Sequence, residues 1–576
     1  MEEKTYTWRD LINYGLLGSV VTLYFGMIGM LELFDERILI TPFLSLGDVL
    51  LFSGVIGIVF FAVNKFASSL NEAFKVGAVV GAVSAIFPIV LSFIATSELI
   101  AEQFVIRDVF VSVTDRLVEI YNFGLEPIVG SLVLIVAFAI VGVLTALFIK
   151  TDPKIERPLL MGIVLTLGIG LFSENVTQIL GNLPAGIGRS ISRLLFTNKA
   201  LTIVSALIIF LLTAGITYWR MRRPTTGESR GFNFSFEDIS NRGLNRAQMI
   251  QLAIVAVVLL LLPWMVGSFL SQVLFNVGLF ILMGLGLNIV VGYAGLLDLG
   301  YVAFFAFGAY TMGILTTATS LNPGLGLNFW TALPFAILIA VMFGIILGVP
   351  VLNMRGDYLA IVTLGFGEII RILALSDWLA PVMGGAQGVL KIAKPVFFGV
   401  EMGSPETMYY MVLAGSLLVG FVAIRLRDSR LGRQWMAMRE DEDVAEAMGI
   451  NLVQTKLMAF AIGAAFSGLA GAIFSARVNN IFPHSFNLLI SINALSLIIV
   501  GGIGSIPGVI IGALVLVGLP ELLREFSEYR LLMYGILLIV MMLVRPEGFI
   551  PAEIYKRELR ADEETETEIE AQVTSS

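Results

Sequence analysis

What this chain can fold into is limited first by its apolar runs. They recur along most of its length in blocks of about 17 to 25 residues, each long enough at 1.5 Å per residue to cross roughly 30 Å of hydrocarbon. A soluble core has no use for so many. Charged residues make up only 14% of the chain, where soluble domains carry about a quarter. The runs are continuous, whereas strands of a membrane barrel alternate over about ten residues. The expected class is therefore all-α: a polytopic membrane protein with about 16 hydrophobic helical segments.

About six segments precede a long polar stretch: Leu11–Leu33, Leu46–Asn64, Val76–Thr96, Ile128–Ile149, Leu159–Leu180 and Leu201–Trp219. The first is too long for the core of a signal peptide and lacks a small-residue cleavage site. The polar stretch, RMRRPTTGESRGFNFSFEDISNRGLNR from Arg220 to Arg246, holds six arginines. Connections this rich in Lys and Arg stay on the cytoplasmic side and can touch anionic lipid headgroups. The short connections Lys65–Lys75 and Lys150–Arg157 are also basic and are placed in the cytoplasm. Ser97–Gly124 has two arginines against five acidic residues and is placed outside. Within it, FVIRDVFVSVTDRLVEIY has helical spacing and is expected to lie on the membrane surface. NLPAGIGRSISRLLFTNK breaks the charge pattern with three basic residues and is expected to be interfacial or re-entrant.

About ten segments follow, from Met249 to Val544, the weakest being Ile490–Gly504 and Pro507–Leu522, short and interrupted by glycine. An even number returns the basic RPEGFIPAEIYKRELR to the side of the linker, which places both termini in the cytoplasm. Four parts are thus expected: a membrane module over 1–219, a basic linker over 220–247, a second membrane domain over 248–551 and an acidic tail over 552–576. The tail, with ADEETETEIEAQ, has too few apolar residues to build a core.

The same sequence excludes several function classes. There is no cysteine, hence no disulfide or thiol chemistry, and the lone His484 in FPHSF cannot build a histidine metal site. No catalytic cluster, metal, cofactor or nucleic-acid partner is expected. A phosphate-cradling loop needs GxxxxGK[ST], yet no lysine in the chain follows a glycine. GLGLN and GGIGSIPG are glycine-rich but lie in or beside apolar runs, where glycine serves close packing.

The residues that can carry function fall in three places. REDEDVAEAMGINLVQTKLMAF, Arg439 to Phe460, puts a charged helix between two apolar runs, on the cytoplasmic side by charge. Acidic residues at 440–443 suit a helix N-terminus. Val444, Ala447 and Met448 lie three and four apart and form one apolar stripe. Gly449 allows a sharp stop. Such a projecting helix can fill another protein's groove. In GYAGLLDLG, glycines 292, 295 and 300 surround Asp298, a candidate break at membrane depth, tolerated only inside protein or beside water. In LGFGEIIRI, Glu368 and Arg371 share a helix face and can pair; ionisable residues in a span are functional suspects. GAAFSGLAGA spaces Gly463, Ser467 and Gly471 for helix packing.

These stretches carry a resemblance. DVAEAMG is similar to the coupling loop of ABC importer permeases, Glu-Ala-Ala, three residues, Gly; Asp443 stands for the glutamate, Val444 for the first alanine, and Ala445 and Gly449 fit. More broadly, residues from about Leu252 to Pro551 resemble LivM-type permeases of branched-chain amino acid ABC importers. The carrying stretches are GLNIVVGYAGLLDLGYVAFFAFGAYT, LNMRGDYLAIVTLGFGEIIRI, SRLGRQWMAMREDEDVAEAMGINLVQTKLMAFAIGAAFSGLAGAI, ISINALSLIIVGGIGSIPGVIIGA and RPEGFI. The N-terminal module lies outside the resemblance. What it implies is an ABC-permease core with a coupling loop over 427–456 formed by Asp443, Val444, Ala445, Ala447, Met448 and Gly449. Candidate translocation-path residues are Asn288, Gly295, Asp298, Glu368 and Arg371. Implied partners are a second, LivH-like permease subunit, two ATPase subunits, an extracytoplasmic substrate-binding protein and the lipid of a prokaryotic cell membrane, with a branched-chain or other hydrophobic amino acid as cargo. Urea or short amides are the rival cargo within the class. A secondary transporter would be expected to show inverted repeats and midplane charges; only Glu368 and Asp298 and no clear repeat are seen, and a membrane enzyme's catalytic cluster is not evident.

Overall fold

A computed structural model describes residues 7–96, 113–182, 186–222, 246–317, 325–352, 354, 356–522, 524 and 529–551. Contacts divide the chain into two compact units, Met1–Ile250 and Gln251–Ser576. Most of the linker, the acidic tail and the start of the expected surface helix lie outside the described residues.

The first unit contains α1 (Trp8–Met27), α2 (Met30–Asp35), α3 (Leu46–Phe66), α4 (Leu70–Val83), α5 (Ile86–Thr96), α6 (Asp115–Asn122), α7 (Pro127–Ile149), α8 (Pro153–Leu171), α9 (Ser173–Gly181), α10 (Ile187–Leu195) and α11 (Ile203–Arg222). Capping boxes start three of them: Thr7 with Asp10, Ser45 with Asp48, and Ser69 with Glu72 each satisfy backbone donors that a helix N-terminus leaves open. Gly77 and Gly81 of α4 face α7, where a Cβ on Gly81 would overlap the Phe138 carbonyl and one on Gly77 that of Gly142. The missing side chains let the two backbones approach, the usual device between membrane helices.

Two departures from the sequence reading occur here. A small sheet joins distant segments, in the order β2 (Leu44–Ser45), β1 (Ile38–Thr41), β4 (Ala200–Thr202), β3 (Phe196–Thr197), with Ile40 paired to Leu201. The run Leu159–Leu180 is broken: α8 and α9 meet at 72°. Arg37 stitches that break, donating to the Leu171 carbonyl and the Ser173 hydroxyl, both at 3.1 Å. The described part of the expected surface helix, α6, buries Leu117 and Tyr121 in the core of its unit, and the Tyr121 hydroxyl donates to the Thr22 carbonyl at 3.2 Å.

The second unit contains all but the first five residues of α12 (Arg246–Leu287), a π-helical turn (Asn288–Tyr293), α13 (Val302–Thr316), α14 (Phe329–Val351), α15 (Asp357–Leu375), α16 (Ala380–Met383), α17 (Pro405–Arg427), α18 (Arg430–Glu440), α19 (Glu442–Ala447), α20 (Leu452–Val478), α21 (Leu488–Gly501), α22 (Ile506–Ala513), α23 (Leu519–Leu522) and α24 (Arg530–Val544). A two-stranded sheet pairs β5 (Val396–Phe397) with β6 (Val400–Glu401). α12 is two helical stretches meeting at Gly267 (φ 78°, ψ −178°). Pro263 cannot donate to the Leu259 carbonyl; the Tyr409 hydroxyl does so instead at 3.2 Å, and Tyr410 serves Leu260 at 2.7 Å. α20 is the central helix. Its Gly463–Ser467–Gly471 face packs as its spacing suggested: Gly463 meets Val290, and Gly471 lies against the Phe305 carbonyl.

The chain is thus a helical polytopic membrane protein, but the count of about 16 segments is corrected. Among the described residues ten helices are long and apolar enough to cross a membrane, or up to eleven if the bent pair of α8 and α9 counts as one span. The excess came from runs that hydropathy cannot tell from spans. Val302–Thr316, Ile506–Leu522 and Tyr534–Leu543 are shorter apolar helices. Leu11–Leu33 is split at Gly29, whose left-handed backbone (φ 79°) separates α1 from α2.

Candidate functional site

α18 and α19 form a compact knob anchored from several sides. Asp441 caps α19, its side chain accepting from the backbone of Asp443 and Val444, both at 2.9 Å. Trp435 is fully buried and its indole donates to the Thr455 carbonyl at 2.9 Å. Lys456, on α20, pairs with Glu442 at 2.8 Å while its side chain is 4% exposed. Taking Glu442 away would leave the buried Lys456 ammonium without its counter-charge, a cost of about 3 to 5 kcal/mol. On the far side Arg439 donates to the Gly292 carbonyl at 2.6 Å.

The exit from α19 is equally defined. Gly449 has φ 87°. Its N–H reaches the Glu446 carbonyl at 2.9 Å, and that of Ile450 reaches Ala445 at 3.1 Å. This pair of bonds is the Schellman cap, which favours glycine at that position. Ala445 is buried at 3%, whereas Val444 is 59% and Met448 79% exposed, and Ala447 is exposed with them. The stripe expected on the sequence therefore faces outward, and Ala445 anchors the opposite side. Trp435, Glu442, Lys456 and Arg439 were missed as anchors; the available signal was a lysine just inside an apolar helix.

Arg439 leads to the break. The π-helical turn ends in an irregular stretch, 294–300, before α13. Asn288 is buried, and its side-chain oxygen accepts from the Gly504 backbone at 2.8 Å. Gly295 has φ 72°, and a Cβ there would press on Arg439 at 2.9 Å. Asp298 is fully buried and accepts from the Gly300 backbone at 2.9 Å. The Leu299 N–H donates to the Thr363 hydroxyl at 3.0 Å, and that of Val302 to Ser491 at 2.9 Å. Gly300 lies so close to α15 that a Cβ would overlap the Thr363 carbonyl oxygen. Irregular backbone inside a membrane protein requires such partners.

Glu368 and Arg371 lie farther along α15. They pair through one oxygen: Glu368 Oε2 accepts from Arg371 Nε at 2.8 Å and lies 2.8 Å from Arg371 Nη2. Their side chains are 35% and 27% exposed. The structure thus brings Asn288, Gly295 and Asp298 together in one packed break and sets the ion pair apart at the edge of a narrow cleft lined by Arg371. Among the described residues no group of three His, Cys, Asp or Glu could hold a metal ion.

Residues 269–544 match the family described as "Branched-chain amino acid transport system / permease component". The chain is 39% identical over 370 residues to the high-affinity branched-chain amino acid transport system permease protein LivM of Salmonella typhimurium, covering 60% of this chain and 85% of that protein. It is 25% identical over 326 residues to the probable LivM of Methanocaldococcus jannaschii, covering 49% and 93%. Similarity to the LivH permease of Salmonella typhimurium is 30% over 195 residues, covering 32% and 63%. No solved structure matches the chain.

Proposed function

The chain belongs to the LivM-type permeases of branched-chain amino acid ABC importers, and from that premise we propose that it carries a branched-chain or similar hydrophobic amino acid and takes its drive from ATPase subunits docked on α19. It is a permease subunit, not an enzyme, and ATP hydrolysis resides on other subunits. A partner permease subunit completes the pair; two ATPases and an extracytoplasmic binding protein complete the machine.

The observation that carries the reading is the knob. Asp443, Val444, Glu446, Ala447 and Met448 point outward, acidic and apolar together, which suits a groove with an apolar floor and a basic rim. The anchors behind it make the knob rigid, so a push on it reaches Arg439, then Gly292 and Gly295, then Asp298 and Gly300, then Thr363 on α15. Coupling of this kind requires two states of the permease that the ATPases bind with different affinity. Glu368 and Arg371, the remaining candidates for the translocation path, lie farther along α15 than Thr363. Co-expression with both ATPases tests the docking: the three proteins are expected to co-purify, and a chain that purifies alone contradicts it.

The first unit is read as accessory, since the family match begins at residue 269. A chain starting near Asn245 should still assemble with its ATPases; stable insertion without assembly would make the unit part of the machine. Both termini and the linker are placed in the cytoplasm. Because the chain has no cysteine, single cysteines at Ser229 and Thr574 should both escape an impermeant thiol reagent in intact cells, and labelling of either reverses the topology.

A further inference from the structure

The nine residues of α10, Ile187–Leu195, present three different sides. At 100° per residue Ile187, Ile191 and Leu194 fall together, and all three are exposed, Leu194 at 70%. Arg189 and Arg193 fall on the opposite side and are exposed too. Neither guanidinium is paired among the described residues. On the flank between these sides lie Gly188, buried, and Ser192, half-buried, where the helix rests on its unit. An open apolar stripe with cations opposite it suits one setting, the plane where hydrocarbon meets headgroups.

The bonds around α10 set it at that plane. α8 gives way to α9 at 72°, so the chain leaves the direction of its span there, and α10 packs on α9. At the other end of α10 the Leu194 carbonyl accepts from the Ser205 hydroxyl at 3.0 Å. Ser205 is in the first turn of α11, which is long and apolar enough to span. Leu194 is thus level with the start of a span. Val204 and Leu207, in the first turns of α11, are exposed as well. The stripe on α10 therefore continues an apolar surface of the kind that meets lipid.

We propose that α10 lies in the membrane surface, with Ile187, Ile191 and Leu194 in the acyl boundary and Arg189 and Arg193 on the phosphates of anionic phospholipid headgroups. The long arginine side chains reach the headgroup level while the helix axis stays below it. A guanidinium presents a fork of donors that matches a phosphate, and an anionic leaflet attracts cations near its surface. Of the two expectations for NLPAGIGRSISRLLFTNK, interfacial or re-entrant, this is the interfacial one: a re-entrant segment would carry two unpaired arginines into hydrocarbon. The Ser205 bond ties α10 to α11, so the surface helix also fixes the depth at which the first unit sits.

Because the chain has no cysteine, a nitroxide attached to Leu194→Cys reports that position alone. The full-length chain is placed in nanodiscs of mixed phosphatidylcholine and phosphatidylglycerol. The label should collide with oxygen, which concentrates in hydrocarbon, several-fold more than with a water-soluble nickel chelate. Preference for the chelate puts the stripe in water and overturns the proposal. Shielding from both reagents means that another protein chain covers the stripe, and overturns it as well. The headgroup contact is read separately, by native mass spectrometry of the chain released from the same nanodiscs. Arg189→Gln with Arg193→Gln should retain less phosphatidylglycerol than the wild-type chain, with phosphatidylcholine retention and thermal midpoint unchanged. Arg189→Lys with Arg193→Lys should keep most of the retention, since the charge remains. Equal retention of phosphatidylglycerol by the wild-type chain and the glutamine variant overturns the headgroup contact.

Discussion

Gly449→Val is expected to abolish coupling while leaving the membrane core intact. Gly449 has φ 87°, and no atom lies within 4 Å of where its Cβ would be. The substitution therefore meets backbone strain without a clash. For a residue with a Cβ this strain costs roughly 1 to 2 kcal/mol, and a β-branched side chain is disfavoured further. The cheapest relief is to open the cap formed by the Gly449 and Ile450 N–H groups, which frees the end of α19 and turns Val444 and Met448 away. Expression, insertion and thermal midpoint should stay near wild type; ATPase association or substrate-stimulated hydrolysis should be lost. Ala445→Arg should do the same by a different route, because Ala445 is buried at 3% and an arginine there pushes α19 off its support. Gly449→Ala should be intermediate. Wild-type association in both Gly449→Val and Ala445→Arg would reduce the knob to a solvated connection.

Gly300→Ala is expected to damage the fold itself. The atom that a Cβ would overlap is the backbone oxygen of Thr363, so no rotamer change relieves it. Either the break or α15 must move. The Leu299 to Thr363 and Val302 to Ser491 hydrogen bonds are lost in the process. Overpacking costs about 1 to 3 kcal/mol when side chains can adjust; a clash between two backbones belongs at or above that range. The purified variant should lose about 5 °C or more of apparent Tm, or fail to accumulate. Gly365→Ala is the control on the same helix, because a Cβ there meets nothing within 4 Å. Its stability should hold or rise slightly, as glycine costs about 0.5 to 1 kcal/mol in a helix interior. A Gly300→Ala chain with wild-type Tm would mean that the break and α15 are not locked together.

The membrane class was legible because hydrocarbon thickness writes itself into run length. The number of spans was not. Val302–Thr316 reads as an ordinary apolar segment, yet it begins only after an irregular stretch held by Thr363 and Ser491. Nor does hydropathy register the turn at Gly267 inside one apolar run. The cap at Gly449 was legible, since only local backbone geometry is involved. The anchors behind it were not, because Glu442 meets Lys456 across fourteen positions and Arg439 meets Gly292 across 147. The same holds for β1, which finds β4 about 160 residues later. The ion pair on α15 was visible from its spacing of three, but the cleft that brings Arg371 near Phe486 and Pro483 exists only in the folded unit.

The most direct measurement is L-leucine uptake into vesicles holding this chain, its partner permease and both ATPases, supplied with the binding protein. Uptake should require ATP on the ATPase side, ignore imposed proton or sodium gradients, and vanish in Gly449→Val although the complex inserts normally. Uptake driven by an ion gradient without ATP, and unchanged in Gly449→Val, would contradict the central claim that this chain is an ATP-coupled permease driven through α19.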